Sequence, residues 1–144
     1  MKLTDFGIAR EMDHSLQMAK TFVGTFKYMS PERMQSEPYN FKSDIWSLGI
    51  VLIECATGYY PYKERGVGQI EMVQNILETA EPNVDPTLFS AEFREFLSHC
   101  MKKNAEERLP ADILLASPWL TNNGVSDVQT SVQIVQQWLN TQHK

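Results

Sequence analysis

The stretch from Asp44 to Ala56 constrains the fold of this chain more than any other segment. Its apolar residues cover every face of a helical wheel, yet it is too short to span a bilayer. A helix of this kind belongs at the centre of a core. Ser43 or Asp44 can cap its first amides, and Gly58 followed by Pro61 is expected to end it. We therefore expect a helical protein built around this segment.

Amphipathic helices are predicted after the central one. Apolar residues recur at helical intervals over residues 70–77 and 93–101, and Ser90 precedes the second pattern as a candidate N-cap. Pro110 stands where a first helical turn tolerates proline, and Ser117-Pro118 is expected to stop the helix that follows it.

A last helix is predicted beyond a hinge at residues 122–124. Residues 126–129 form a capping-box pattern, and one apolar stripe follows. The stripe consists of Val128, Val132, Val135 and Leu139. We interpret the tryptophans Trp46, Trp119 and Trp138 as core residues rather than ligand contacts.

Charge and composition disfavour several classes of function. The 144 residues contain 13 basic and 18 acidic side chains, a net charge of -5, without a block of like charge. This balance disfavours nucleic-acid and membrane-surface partners. No signal peptide or membrane span is apparent, and Cys55 and Cys100 lie in apolar helical patterns typical of buried, reduced thiols. We expect a cytoplasmic protein with neither a zinc site nor a Ser-His-Asp arrangement.

Several short motifs occur in a particular order. Asp5-Phe6-Gly7 comes first, then Gly24-Thr25 with Tyr28-Met29-Ser30-Pro31-Glu32, then Asp44-Ile45-Trp46-Ser47-Leu48-Gly49, and finally Arg108 behind Asn104-Ala105-Glu106-Glu107. In this succession they resemble the large lobe of protein kinases. The sequence around residues 22–33, with residues 54–58 and 60–62, resembles more narrowly the mitogen-activated protein (MAP) kinase kinases, above all their plant and protist members.

The resemblance covers about residues 2–120 and implies a fold. It indicates a mainly α, partial protein-kinase-like fold that consists of the helical large lobe only and begins at the Asp-Phe-Gly motif. Residues 1–120 would be the C-terminal part of a kinase domain, with the activation segment at 5–32 and a helical subdomain at 43–120. Residues 121–144 would be a helical extension. The Gly-rich loop, the strand lysine, the helix glutamate and the His-Arg-Asp catalytic loop are not found, so we expect the small lobe and the catalytic base to be absent.

The resemblance also implies roles for residues near the start of the chain. Asp5 would hold magnesium against ATP, and Phe6 and Gly7 would complete the cofactor-binding motif. Ser15 and Thr21 would be regulatory phosphorylation sites, because their spacing matches that of the plant-like branch. Phosphate groups there would order the loop by pairing with cations.

Further along the chain, the implied roles concern substrate binding and structure. Thr25, Phe26, Lys27 and Tyr28 would form a platform for the substrate. Glu32 and Arg108 would form a buried ion pair that joins the end of the activation segment to the helical subdomain. Asp44 would accept hydrogen bonds from the catalytic loop, or act as a plain N-cap, and Trp46 would be structural.

The implied function is part of a dual-specificity kinase that transfers the γ-phosphate of ATP to threonine and tyrosine of a MAP kinase. A MAP kinase kinase kinase would be its upstream partner. We expect the 144 residues alone to be inactive. Two alternatives stay open: a non-catalytic docking module that binds a kinase, and a fragment from a split gene model with further sequence before Met1. The last helix would be either a docking element or a packing helix.

Overall fold

The computed structural model describes residues 26–62, 68–125 and 127–142, with only the backbone for residues 69 and 142. Over these residues the structure is helical and contains no strand, which confirms the mainly α prediction. Two short 3-10 helices lie at Phe26–Tyr28 and Ala105–Glu107. The α-helices are α1 (Pro31–Met34), α2 (Lys42–Thr57), α3 (Gln69–Glu78), α4 (Ala91–Cys100), α5 (Ala111–Leu115), α6 (Pro118–Asn122) and α7 (Val128–Gln142).

Helix α2 is the predicted central helix, and it ends as expected. Gly58 adopts a left-handed conformation with φ 77°, and its N–H donates to the carbonyl oxygen of Glu54. Glycine reaches this region of backbone space without a steric penalty, so it suits the position after a helix.

The predicted N-cap of α2 is wrong. The helix begins at Lys42, and its Phe41 cap position makes no side-chain cap hydrogen bond. The backbone N–H of Lys42 instead donates to Asn40 Oδ1 at 2.9 Å. Ser43 is the second residue of the helix and not its cap position, and its hydroxyl donates to the Glu32 carboxylate at 2.8 Å.

The core lies mainly between α2 and α4. Ser90 caps α4 as predicted, since its hydroxyl accepts a hydrogen bond from the Phe93 N–H at 3.2 Å. The predicted apolar stripe of α4 is confirmed in full. The buried apolar side chains of this interface are Ile45, Trp46, Ile50 and Ile53 from α2, and Phe93, Phe96, Leu97, Cys100 and Met101 from the α4 segment.

Gly49 allows α2 and α4 to approach closely. A Cβ atom built on Gly49 would lie 2.6 Å from Met101 Sδ and 2.9 Å from Cys100 Cβ. Real Cβ atoms do not tolerate such distances, so glycine is required here by packing rather than by backbone conformation.

One face of α2 is exposed in the described structure. Leu48, Val51 and Cys55 are exposed, so α2 is central to the core without being covered at these positions. Cys55 is a free, exposed thiol and not the buried residue that its apolar neighbours suggested, whereas Cys100 is buried.

Helix α6 packs against α4, and α5 precedes it. Pro110 is the N-cap residue of α5 and thus precedes the first turn, and Pro118 is the first residue of α6. The Trp119 ring lies 4.8 Å from the ring of Phe93 and 4.7 Å from that of Phe96, measured between centroids. The prediction that Trp119 belongs to the core is confirmed.

Helix α7 forms where predicted, but its apolar stripe is not buried. Asp127 caps it by accepting hydrogen bonds from the N–H and hydroxyl of Thr130; Ser126 lies outside the described residues. Trp138 is 59% exposed, so the expectation that it is a core residue is wrong. The stripe residues Val128, Val132, Val135 and Leu139 are exposed as well.

None of the helices within the described ranges is both long enough and apolar enough to cross a bilayer.

Candidate functional site

Several predicted site residues cannot be placed. Asp5, Phe6, Gly7, Ser15, Thr21 and Thr25 lie outside the described residues. Their roles in binding magnesium and ATP, in regulation and in substrate binding stay predictions. Within the described part of the chain, no cluster of three or more histidine, cysteine or acidic side chains could hold a metal ion.

The described part of the predicted substrate platform is a single turn. Phe26, Lys27 and Tyr28 form a 3-10 helix that closes with a hydrogen bond from the Met29 N–H to the Phe26 carbonyl at 3.1 Å. Extended backbone at buried Ser30 then leads into α1, whose first position is the proline that helices favour there. We use the name platform turn for residues 26–28.

Helix α2 holds the platform turn by two hydrogen bonds. The hydroxyl of Ser47 donates to the backbone carbonyl of Tyr28 at 2.7 Å, and the Tyr28 hydroxyl donates to Glu54 Oε2 at 2.7 Å. Ser47 and Glu54 lie about two turns apart on one face of α2. The turn is therefore fixed to a single rigid helix by its backbone and by a side chain.

The segment after α2 also holds this turn, through Tyr60. The Tyr60 hydroxyl donates to the backbone carbonyl of Lys27 at 2.5 Å. The Tyr60 ring also meets the Tyr28 ring edge-on, with centroids 6.2 Å apart, and the Lys27 ammonium lies 5.6 Å from the Tyr60 centroid. Both distances fall in the range of favourable aromatic and cation–π contacts.

Glu32 and Arg108, separated by 76 residues, meet in a bidentate ion pair. Arg108 Nη1 donates to Glu32 Oε1 and Nη2 donates to Oε2, each at 2.9 Å. Arg108 is 1% exposed and Glu32 is 5% exposed. The planar fork of arginine matches a carboxylate in this geometry, which lysine cannot reproduce.

The remaining polar atoms of the pair have partners. Arg108 donates to the backbone carbonyls of Lys42, Lys102 and Lys103 at 2.7, 2.9 and 3.3 Å. Glu32 also accepts the hydroxyl hydrogen bond of Ser43. A buried ion pair is stable only when its other hydrogen-bonding positions are satisfied, and here they are.

The electrostatics of Glu32 follow from these contacts. Burial by itself would raise the pKa of the Glu32 carboxyl, but the hydrogen bonds from Arg108, the backbone and Ser43 lower this pKa to about 2. Glu32 therefore carries its charge at neutral pH and holds Arg108 in place.

Aromatic rings extend from the ion pair toward the platform turn. The Arg108 guanidinium carbon lies 5.4 Å from the centroid of Trp46, a fully buried core residue as predicted. Trp46 stacks on Tyr62 with centroids 6.5 Å apart, and Tyr62 contacts Tyr60 at 5.9 Å. We call Tyr60, Tyr62 and Trp46 the aromatic ladder.

Asp44 is neither buried nor an N-cap. It occupies the third position of α2 and is exposed, and no described residue donates a hydrogen bond to its carboxylate. Its predicted contact with a catalytic loop stays a prediction.

No role was predicted for Tyr60, Tyr62 or Glu54, although all three lie in the segments that carry the family resemblance. The signal that could have pointed to them is the pair of tyrosines on either side of Pro61, directly after the helix stop at Gly58. Large aromatic side chains beside a fixed turn are positioned to pack against a neighbouring segment.

Comparisons with known proteins agree with the resemblance. The protein kinase domain family matches residues 1–120. Mitogen-activated protein kinase kinase SIPKK of Nicotiana tabacum is 42% identical over 126 residues, which cover 84% of this chain and 35% of the relative. Mitogen-activated protein kinase kinase 3 of Arabidopsis thaliana is 40% identical over 136 residues, which cover 93% of this chain and 26% of the relative.

An animal relative is similar too. Dual specificity mitogen-activated protein kinase kinase dSOR1 of Drosophila melanogaster is 34% identical over 155 residues, which cover 91% of this chain and 39% of the relative. The chain thus spans between 26% and 39% of the length of these three relatives.

Proposed function

Because the chain belongs to the protein kinase domain family, we propose that it forms the substrate-platform half of a MAP kinase kinase. The complete enzyme transfers the γ-phosphate of ATP to a threonine and a tyrosine of a MAP kinase. The observation that carries the proposal is the buried bidentate pair of Glu32 and Arg108 beside the platform turn, within a sequence similar to MAP kinase kinases.

In this proposal the chain contributes mainly by positioning. Phosphoryl transfer requires a substrate hydroxyl held in line with the γ-phosphate, so fixing the substrate segment supplies much of the catalytic effect. Ser47, Glu54 and Tyr60 fix the platform turn, and the Glu32–Arg108 pair fixes the segment that follows it.

Cofactor binding in the proposal depends on Asp5. A carboxylate is the oxygen ligand that magnesium prefers, and the ion would neutralise charge on the phosphate oxygens. Ser15 and Thr21 are the proposed sites at which an upstream MAP kinase kinase kinase regulates the enzyme. We place this activity in the cytoplasm.

A chimera tests the proposal. Residues 2–120 of this chain would replace the matching segment of the Nicotiana tabacum relative, and the product would be incubated with ATP, magnesium and a kinase-inactive MAP kinase. We expect phosphate on both threonine and tyrosine of the substrate, as measured by phosphopeptide mass spectrometry. The control is the same chimera with Asp5→Asn, which should lose transfer while its melting temperature is unchanged. A folded chimera that transfers no phosphate would contradict the proposal.

A second candidate follows from the sequence itself. The 144 residues contain no His-Arg-Asp motif, so on their own they are expected to transfer no phosphate. They could instead bind a MAP kinase through the platform turn without chemistry. Binding of the 144-residue chain to a MAP kinase, together with a folded but inactive chimera, would favour this candidate.

A further inference from the structure

Tyr60 contacts the platform turn through a hydrogen bond, an aromatic contact and a cation–π contact. On the basis of the proposed function, we infer that Tyr60 is a positioning residue that sets the geometry of the platform turn and so determines how well the kinase binds its protein substrate.

The backbone carbonyls of the platform turn are all engaged. The Phe26 carbonyl accepts from the Met29 N–H, the Lys27 carbonyl from the Tyr60 hydroxyl, and the Tyr28 carbonyl from the Ser47 hydroxyl. Two of these three hydrogen bonds come from side chains far along the sequence. The turn therefore owes its position to tertiary contacts, and Tyr60 supplies the contact at its middle residue.

Tyr60 also contacts the side chains of the second and third residues of the turn. Its ring meets the Tyr28 ring edge-on and lies beneath the Lys27 ammonium. The same residue thus orients one backbone carbonyl, one aromatic ring and one cation. A change at Tyr60 would therefore alter both the backbone shape of the platform turn and the position of the Lys27 ammonium.

Tyr60 is itself fixed from the core. Gly58 redirects the chain at the end of α2, and Pro61 restricts the backbone directly after Tyr60. The aromatic ladder then connects Tyr60 through buried Tyr62 to fully buried Trp46. Because Trp46 contacts Arg108, the platform turn and the Glu32–Arg108 pair are joined by one continuous series of contacts.

A displacement of the platform turn should weaken binding of the protein substrate and not binding of the nucleotide. A single hydrogen bond changes an equilibrium by up to about tenfold, and a displacement of about 1 Å at a reacting group can cost about 100-fold in rate. The nucleotide lies elsewhere in a kinase, so a positioning role at the platform should change the KM for the protein substrate and leave the KM for ATP unchanged.

Tyr60→Phe is the test substitution, and Tyr59→Phe is its matched control. Tyr60→Phe removes one hydroxyl and keeps the ring, whereas Tyr59, its neighbour, is 78% exposed and no described residue accepts a hydrogen bond from its hydroxyl. Both variants would be made in the chimera that tests the proposed function. We expect the KM for the kinase-inactive MAP kinase to rise about three- to tenfold in Tyr60→Phe alone, with the KM for ATP within twofold of wild type.

Hydrogen exchange provides a second readout in the 144-residue chain. The Met29 amide closes the platform turn, so its exchange should become about three- to tenfold faster in Tyr60→Phe and stay unchanged in Tyr59→Phe. A wild-type chimera that transfers no phosphate would overturn the proposed function and, with it, the substrate role of Tyr60. An active chimera in which Tyr60→Phe and Tyr59→Phe have the same KM for the protein substrate would overturn this inference alone.

Discussion

Helices α4 and α7 have the same kind of apolar pattern and opposite environments. Both repeat apolar residues at intervals of three and four, as a helix with one apolar face does. In α4 the pattern is buried, with Phe96 only 4% exposed. In α7 the equivalent stripe faces outward, with Val135 45% exposed and Trp138 more so.

The two helices have different environments because another helix packs against α4, and not because their apolar patterns differ. Helix α4 packs against α2, and Gly49 lets the two backbones come close enough for the side chains to interlock. Helix α7 follows Gly124, which has φ 79°, and its residues 128–142 include no charged side chain. Periodicity therefore predicts which face of a helix is apolar, but only tertiary packing decides whether that face is covered.

The largest expected effect comes from shortening one side chain in each helix. Phe96→Ala should destabilise the protein by about 3–5 kcal/mol, because it leaves a cavity beside Trp119, whereas Val135→Ala should cost less than about 0.5 kcal/mol. Urea denaturation monitored by circular dichroism would measure both. Equal losses would show that α7 is buried as deeply as α4.

The second largest effect should come from acid, which should weaken the Glu32–Arg108 pair and leave α7 unaffected. The Glu32 pKa of about 2 is lower than its ordinary value of 4.5, so the pair contributes its full stability above pH 4.5 and loses it as the pH falls toward 2. We expect a loss of roughly 2–3 kcal/mol over this window. Helix α7 contains no titratable side chain to respond.

Denaturation curves between pH 6 and 2 would measure this effect. The control variant Glu32→Gln should be less stable than wild type at pH 6 and should show a flatter dependence on pH. A wild-type dependence as flat as that of the variant would contradict the lowered pKa.

Gly49→Ala should have the third largest effect. The new methyl group would overlap Met101 and Cys100, at a cost of about 1–3 kcal/mol. Gly68→Ala is the control, since a Cβ atom there meets nothing within 4 Å and the backbone φ of -69° suits alanine. Thermal unfolding of both variants would compare them, and an unchanged melting temperature for Gly49→Ala would show that the helices can separate without cost.

The smallest predicted effect has the opposite sign. The Tyr62 hydroxyl is buried and has no hydrogen-bond partner among the described residues, and burial raises the pKa of Tyr62. Tyr62→Phe should therefore be neutral or stabilise the protein by less than about 1 kcal/mol, while the ladder contacts persist. A clear loss of stability in thermal unfolding would reveal a partner for this hydroxyl.

Local signals in the sequence were sufficient for part of the fold. The Ser90 cap, the Gly58 stop and the α4 stripe each depend on residues within one or two turns, and all were predicted correctly. The N-cap of α2 was not, because the helix begins one residue before Ser43 and so places Ser43 inside its first turn. Trp138 was wrongly predicted to be a core residue, because an amphipathic pattern does not show whether another part of the chain covers the apolar face.

The contacts of the candidate site, in contrast to the helix caps, could not be predicted from local sequence signals. The pairing of Glu32 with Arg108 was expected from family resemblance, since a separation of 76 residues contains no geometric information. Tyr60 and Lys27 are 33 residues apart, and no periodicity connects them. Their contact exists because α2 places its C-terminal end beside the turn that precedes α1, which is a property of packing.

We conclude that the Glu32–Arg108 pair joins the segment after the platform turn to the helical core. A double-mutant cycle with Glu32→Leu and Arg108→Leu, followed by urea denaturation, tests it most directly. Each single substitution should cost about 3–5 kcal/mol by leaving a buried charge unpaired, and the double variant should recover at least about 2 kcal/mol of the summed loss. A coupling energy below about 0.5 kcal/mol would contradict the claim, because two residues that stabilise the protein independently do not form the joint.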